Sequence, residues 1–243
     1  MNRGRLGRYS LWQFRDFVVE RGIAILIIGF LWGYVLIAPF RAARGPQLDL
    51  NPSSPMWPLL ITVASSIVSL SVLIAVNGIV SIDRKMGYYR FLFSKPISAV
   101  GYYSQLFLVN MAGVVAAMLI LSGVLRTIVP DFSIVNYLLY TALIFVAMGG
   151  IGFFLSVATR FDWVTLAAVW LGSRALREFY GPKPGLPAKL VQLLPPVHKL
   201  DGVANGLITN GNAPTSDVLW LLAYGALFFA LGLILLRQAS LAD

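Results

Sequence analysis

The chain has 243 residues, 58% of them hydrophobic and 12% charged, with a net charge of +9, no cysteine and a single histidine. So few polar residues cannot enclose so apolar a core in water, where a soluble domain carries about 25% charged residues. A water-soluble fold, disulfides, thiolate metal sites and cysteine nucleophiles are excluded together. The positive charge belongs to basic flanks of membrane spans rather than to a nucleic-acid surface.

Residues 1–21 hold Arg3, Arg5, Arg8, Arg15 and Arg21, and no small-residue cleavage site follows, which speaks against a cleavable leader. Read as a helix, Leu11–Arg21 puts Leu11, Phe14 and Val18 on one side and Gln13, Asp16 and Glu20 on the other. That is the pattern of a cytoplasmic interfacial helix lying among lipid headgroups before the chain bends into its first span. Apolar stretches then predict six transmembrane helices, at 22–40, 58–82, 104–125, 133–158, 161–177 and 217–236, judged against the roughly 18–20 residues that cross a bilayer core of about 30 Å. The fifth contains the shortest charge-free run, Trp163–Ser173, and spans only with Arg174 and Arg177 at the membrane edge, their heads in water.

The first outside loop carries Pro46, Pro52 and Pro55 and is expected to be irregular. Ser65, Ser66, Ser69 and Ser71 in the second span, and Met148 to Gly152 in the fourth, are small residues that allow close helix packing in lipid. Residues 178–216, with Pro182, Pro184, Pro187, Pro195 and Pro196, form the extracytoplasmic loop. The expected fold is an all-α polytopic membrane protein, a single transmembrane domain over 1–243. Basic residues concentrate in the segments before the first span, between the second and third, between the fourth and fifth and after the last, so both termini are expected on the cytoplasmic side of the cell (inner) membrane.

Catalysis by this chain is not expected. His198 stands alone in a proline-rich stretch, so neither a histidine-rich metal site nor a Cys/His pair can be built. No phosphate-cradling glycine loop followed by lysine occurs, so no nucleotide or other cofactor is expected in this chain. No acidic residue falls deep in a span, which disfavours a proton- or ion-coupled secondary transporter. A channel and a non-transporting membrane scaffold remain as alternatives. Arg174, Arg177 and Glu178 form a candidate charged cluster at the outer mouth, either a gate or headgroup contact, or an interfacial anchor with local i, i+4 pairing.

The segment joining the second and third spans is the most informative. Asp83, Arg84 and Lys85 leave the membrane, Tyr88, Tyr89, Phe91, Leu92 and Phe93 form an aromatic cluster, Pro96 breaks the path and Ser98 can cap the next helix. Asp83-Arg84, Gly87, Phe91-Leu92, Pro96-Ile97-Ser98 and Tyr102-Tyr103, together with the proline-containing stretch Leu194 to Val203, resemble the membrane subunits of ABC exporters of the ABC-2 (type V) class. Gly87-Tyr88 stands where that family often has Gly-Thr. The resemblance implies a permease subunit that forms a translocation path lined by the second and fifth spans. It implies a second permease, identical or related, and a separate ABC ATPase that binds the ATP and magnesium. Asp83, Arg84, Gly87, Phe91, Leu92, Phe93, Pro96 and Ser98 would be the ATPase-coupling segment.

Overall fold

The computed structural model describes residues 3–44, 54, 56–80, 82–83, 98–159, 163–181, 186, 191, 194–195 and 197–239. Among them the regular structure is helical throughout, with no strand. The helices are α1 (Arg3–Phe17), α2 (Ile23–Arg44), α3 (Trp57–Val76), α4 (Ala99–Ile128), α5 (Ile134–Ala158), α6 (Trp163–Tyr180), α7 (Val197–Asn210) and α8 (Thr215–Ala239). Five helical stretches are long and apolar enough to cross a membrane: Tyr9–Tyr34, Trp57–Val76, Ala99–Ile128, Ile134–Ala158 and Thr215–Gln238. The helix expected as the fifth span, α6, is not among them, because Arg174, Arg177 and Glu178 occupy its second half.

The first two helices run into one another through a π-helical turn, Val18–Gly22, in which the Ile23 N–H donates to the Val18 carbonyl. The face that α1 turns toward the protein is set by two side chains. Phe17 and Gln13 are buried, Phe17 against Gly113 of α4, while Leu11 and Val18 are exposed. Gln105 of α4 donates to Ser10 at 2.8 Å, which fixes the same seam by a polar contact. The reason is steric: Gly113 leaves a notch in α4 that the Phe17 ring fills.

Helix α5 is the centre of the bundle. Tyr137, Ile144, Phe145 and Phe153 are fully buried, and α3, α4, α6, α7 and α8 all pack on it. Its most extensive contact is with α8, through a glycine crossing. A Cβ on Gly150 would collide with the Gly225 carbonyl, and one on Gly225 with the Val146 carbonyl, so the two backbones touch directly. Close approach by small residues is how helices associate in lipid, where apolar burial gives no net drive. Phe107, Phe153 and Phe229 fill the space beside this crossing, with ring centroids 4.5–6.1 Å apart.

Element limits follow local chemistry. Ser98 caps α4 by accepting from the Gly101 N–H at 3.4 Å, so that helix starts earlier than hydropathy alone places it. Helix α3 ends earlier than the charge-free run, at Val76, because Gly78 takes a φ of 74° in the left-handed region that glycine favours. The stretch expected as a loop at 178–216 contains α7, which buries Leu200, Val203, Ala204 and Ile208 against α3 and α5. Trp57 at the start of α3 donates its indole N–H to Thr209 of α7 at 2.7 Å, and Lys199 of α7 pairs with Asp217 of α8 at 2.6 Å.

The glycine crossing yields a direct test. Gly150→Leu and Gly225→Leu should each lower stability by about 3 kcal/mol, the upper part of the range for overpacking, read as thermal unfolding of the purified chain in detergent. Gly123→Ala, where an added Cβ meets nothing within 4 Å, should be neutral or mildly stabilising.

Candidate functional site

Two features belong to α3, one at its end and one along its side. Where α3 stops, the Asn77–Gly78 turn removes the amide that would have bonded the Ala75 carbonyl, since Ile79 donates to Val76 instead. The released Ala75 oxygen accepts from the Arg21 guanidinium at 2.5 Å and from the Asn110 side-chain amide at 3.1 Å. The Val80 N–H, also outside any helix, donates to the Ser156 hydroxyl at 3.1 Å. Thus the π turn, α4 and α5 each contribute one side chain to the broken end of α3. A buried backbone group left without a partner costs about as much as a lost hydrogen bond, so these contacts fix the course of the chain through residue 83.

Asp83 lies just beyond. Its carboxylate accepts from the Tyr103 hydroxyl at 3.1 Å. Burial pushes its carboxyl above the usual carboxylate range, and the Tyr103 hydrogen bond and the Arg21 charge oppose that shift. Ser98, the last residue of the candidate coupling segment, sits at the N-cap of α4, the same helix that carries Tyr103. Arg84, Gly87, Phe91, Leu92, Phe93 and Pro96 lie outside the described residues.

Along its side, α3 forms one wall of a groove of about 630 Å³. This wall is Thr62, Ser65, Ser66 and Ser69, followed by Leu70 and Leu73. Ala167, Leu171 and Arg174 of α6 face it, Leu200 and Asp201 of α7 and Tyr140 of α5 line it near the start of α3, and Trp32 of α2 completes it. The helix directions give the groove two different ends. Tyr137 near the start of α5 donates to the Ala64 carbonyl of α3, whereas Gly152 lies against both Val76 of α3 and Leu166 of α6. Helix α6 therefore runs from the Val76 end toward the Trp57 end, and Arg174 is carried to the level of the hydroxyl residues. Leu73 and Ala167 belong to the opposite end.

The hydroxyls have a defined polarity. Thr62 donates to Pro58 at 2.9 Å, and Ser65 and Ser66 donate to the Thr62 carbonyl at 3.0 and 2.7 Å. Their protons are thus used by the helix; Ser65 also hydrogen-bonds the Tyr140 side chain, and Thr62 and Ser66 offer the groove oxygen lone pairs. The charged cluster expected from the sequence is divided. Arg174 lines the groove and pairs with Glu178 at 3.7 Å on an exposed surface, whereas Arg177 donates to the Val191 carbonyl at 3.2 Å. Asp201, part of the proline-containing stretch Leu194 to Val203 but not selected there as a site residue, lines the same groove as Arg174. Among the described residues no group of three or more His, Asp or Glu side chains could hold a metal ion.

Comparison with protein-family models, with curated proteins and with solved structures finds no match to this chain.

The raised Asp83 carboxyl fixes the sign of a pH effect. The neutral carboxyl is favoured in the folded state, so its contribution to stability is complete below the unfolded pKa and is lost as pH rises through the folded one. Asp83→Asn keeps an acceptor for Tyr103 but cannot ionise. The variant should match the parent in acid and unfold at a higher temperature than the parent near neutrality; a parallel pH dependence of the two proteins would refute this.

Proposed function

We propose that this chain is the membrane-spanning permease subunit of an ATP-driven ABC exporter of the ABC-2 class. It has six spans with α6 as the fifth, α1 at the inner membrane surface and both termini in the cytoplasm. It pairs with a second permease, identical or related, and with a separate ATPase that holds the ATP and magnesium. The observation that carries this reading is the anchoring of the segment whose residues resemble the family's coupling element. Its first residue, Asp83, is bonded to Tyr103, and its last, Ser98, caps the helix to which Tyr103 belongs. A displacement of residues 84–97 by an ATPase is thereby delivered to α3 and α4 together. Since α3 also supplies the hydroxyl wall of the groove, movement of its end changes the groove's shape.

The chemistry asked of this chain is binding and release, without covalent steps. ATP hydrolysis in the partner supplies the energy. The permease contributes a path whose occupancy differs between two arrangements of α3 against α6, the differential affinity that any driven change of state requires.

The test is isolation of the tagged chain from its native membranes. An ABC ATPase should accompany it in comparable amount, and Phe91→Ala combined with Phe93→Ala should reduce that association by roughly thirtyfold, the scale of one truncated aromatic anchor. Purification of the chain without any nucleotide-binding protein overturns the reading.

Orientation is tested separately. Gly211 has a φ of 67°, so a cysteine label is better placed at the neighbouring exposed Asn212. Asn212→Cys should react with a membrane-impermeant maleimide in intact cells, whereas reaction only after permeabilisation reverses the topology.

A further inference from the structure

The groove beside α3 is graded along its length. At the Trp57 end it presents the oxygens of Thr62, Ser65 and Ser66 together with Arg174 and Asp201, and toward the Val76 end it presents Leu70, Leu73 and Ala167. Thr62 and Leu73 are separated by roughly 16 Å along the axis, at about 1.5 Å per residue. The volume of about 630 Å³ is within the range of about 300–1,000 Å³ that holds one ligand of moderate size.

We infer that this groove binds a single amphiphile with a zwitterionic head, of the phosphoethanolamine lipid type, head at the Trp57 end and acyl chain along Leu70 and Leu73. Charge complementarity selects this class. The polar end offers one cation, Arg174, for an anionic phosphate oxygen, and one carboxylate, Asp201, for an ammonium group. The Thr62 and Ser66 hydroxyls donate to their own helix, so they add acceptors for ammonium protons rather than donors for a second anion, whereas Ser65 is also engaged with Tyr140. A head with anionic charge alone meets Asp201 and these oxygens unfavourably. Among the described residues Arg174 is held by Glu178 at 3.7 Å, with both side chains largely exposed, a weak pair that a phosphate can replace. The inference rests on reading the groove as the substrate path and adds the class of substrate.

The experiment is calorimetric titration of the whole chain, held in amphipol, with three probes: lysophosphatidylethanolamine, lysophosphatidylglycerol and free phosphoethanolamine. The first should bind at least roughly tenfold tighter than either of the others, the scale of one charged hydrogen bond lost. Arg174→Gln and Asp201→Asn should each weaken it by roughly three- to tenfold on the same grounds. Ser66→Leu, which fills the groove, should abolish binding with the unfolding temperature unchanged. Glu178→Gln, which releases Arg174 from its local pair, should strengthen binding, an effect that a merely structural role for Arg174 does not produce.

Equal affinity for the two lysolipids reduces the groove to an unselective amphiphile slot and overturns the inference. So does equal affinity for free phosphoethanolamine, or parental binding by both charge variants. These titrations contain no ATPase. Loss of lipid selectivity with an ATPase still co-purifying defeats this inference alone, and selectivity without any ATPase defeats the exporter reading alone.

Discussion

A helix that stops inside a bilayer-crossing bundle exposes backbone groups that lipid cannot satisfy, and the end of α3 is where this chain meets that constraint. Gly78 turns the backbone away, and the Ala75 carbonyl and the Val80 amide are left for side chains to take up. Arg21, Asn110 and Ser156 do so from three different elements. Consequently the N-terminal helical stretch, α4 and α5 are tied to one point on α3. Any change in how α3 ends must move or break those bonds.

The rest of the bundle is arranged about α5, whose glycine face accepts α8 and whose opposite sides accept α3, α6 and α7. Helix α5 is closely engaged with α8, and the groove separates another side of α3 from α6. Helix α7 closes one end of that space through the Trp57–Thr209 bond and is itself tied to α8 by the Lys199–Asp217 pair. Core and groove therefore share a single helix, α3, as their boundary.

Much of this framework could be read from residue order alone. The apolar runs locate α3, α4, α5 and α8 because a bilayer imposes a length and a composition that few other structures satisfy. The small residues at 148–152 announce close packing, although not that α8 would be the partner. The end of α3 was obscured by the lack of charge through Ile82, yet Asn77-Gly78 is a turn dipeptide and marks the break. Helix α7 was hidden by the preceding prolines, while Leu200, Val203, Ala204, Leu207 and Ile208 carry the helical spacing that identifies it. The interactions of Arg21 with Ala75 and of Lys199 with Asp217 join distant parts of the chain, and no local spacing rule reveals such pairs. The stripe Thr62, Ser65, Ser66 and Ser69 has the period of one helix face, but periodicity identifies a face and not what covers it. Only the placement of α6 and α7 distinguishes a groove wall from a packing seam.

Helix α6 shows what the groove requires of its surroundings. By composition it is the least suited of the long helices to lipid, and Arg174, Arg177 and Glu178 are the cause. Replacing them with leucine would make a more secure span, since a charge near the bilayer centre is costly. It would also leave the hydroxyl oxygens of α3 and the Asp201 carboxylate facing no cation across the groove. The residue that weakens α6 as a span is the one that completes the polar end. Arg174 lines the same groove as Ser66 and Asp201 and its side chain is exposed, so its charge is reached by water, which lowers the cost of keeping a cation there. One of the three side chains behind the marginal hydropathy of α6, Arg174, thus also supplies the cation of the groove.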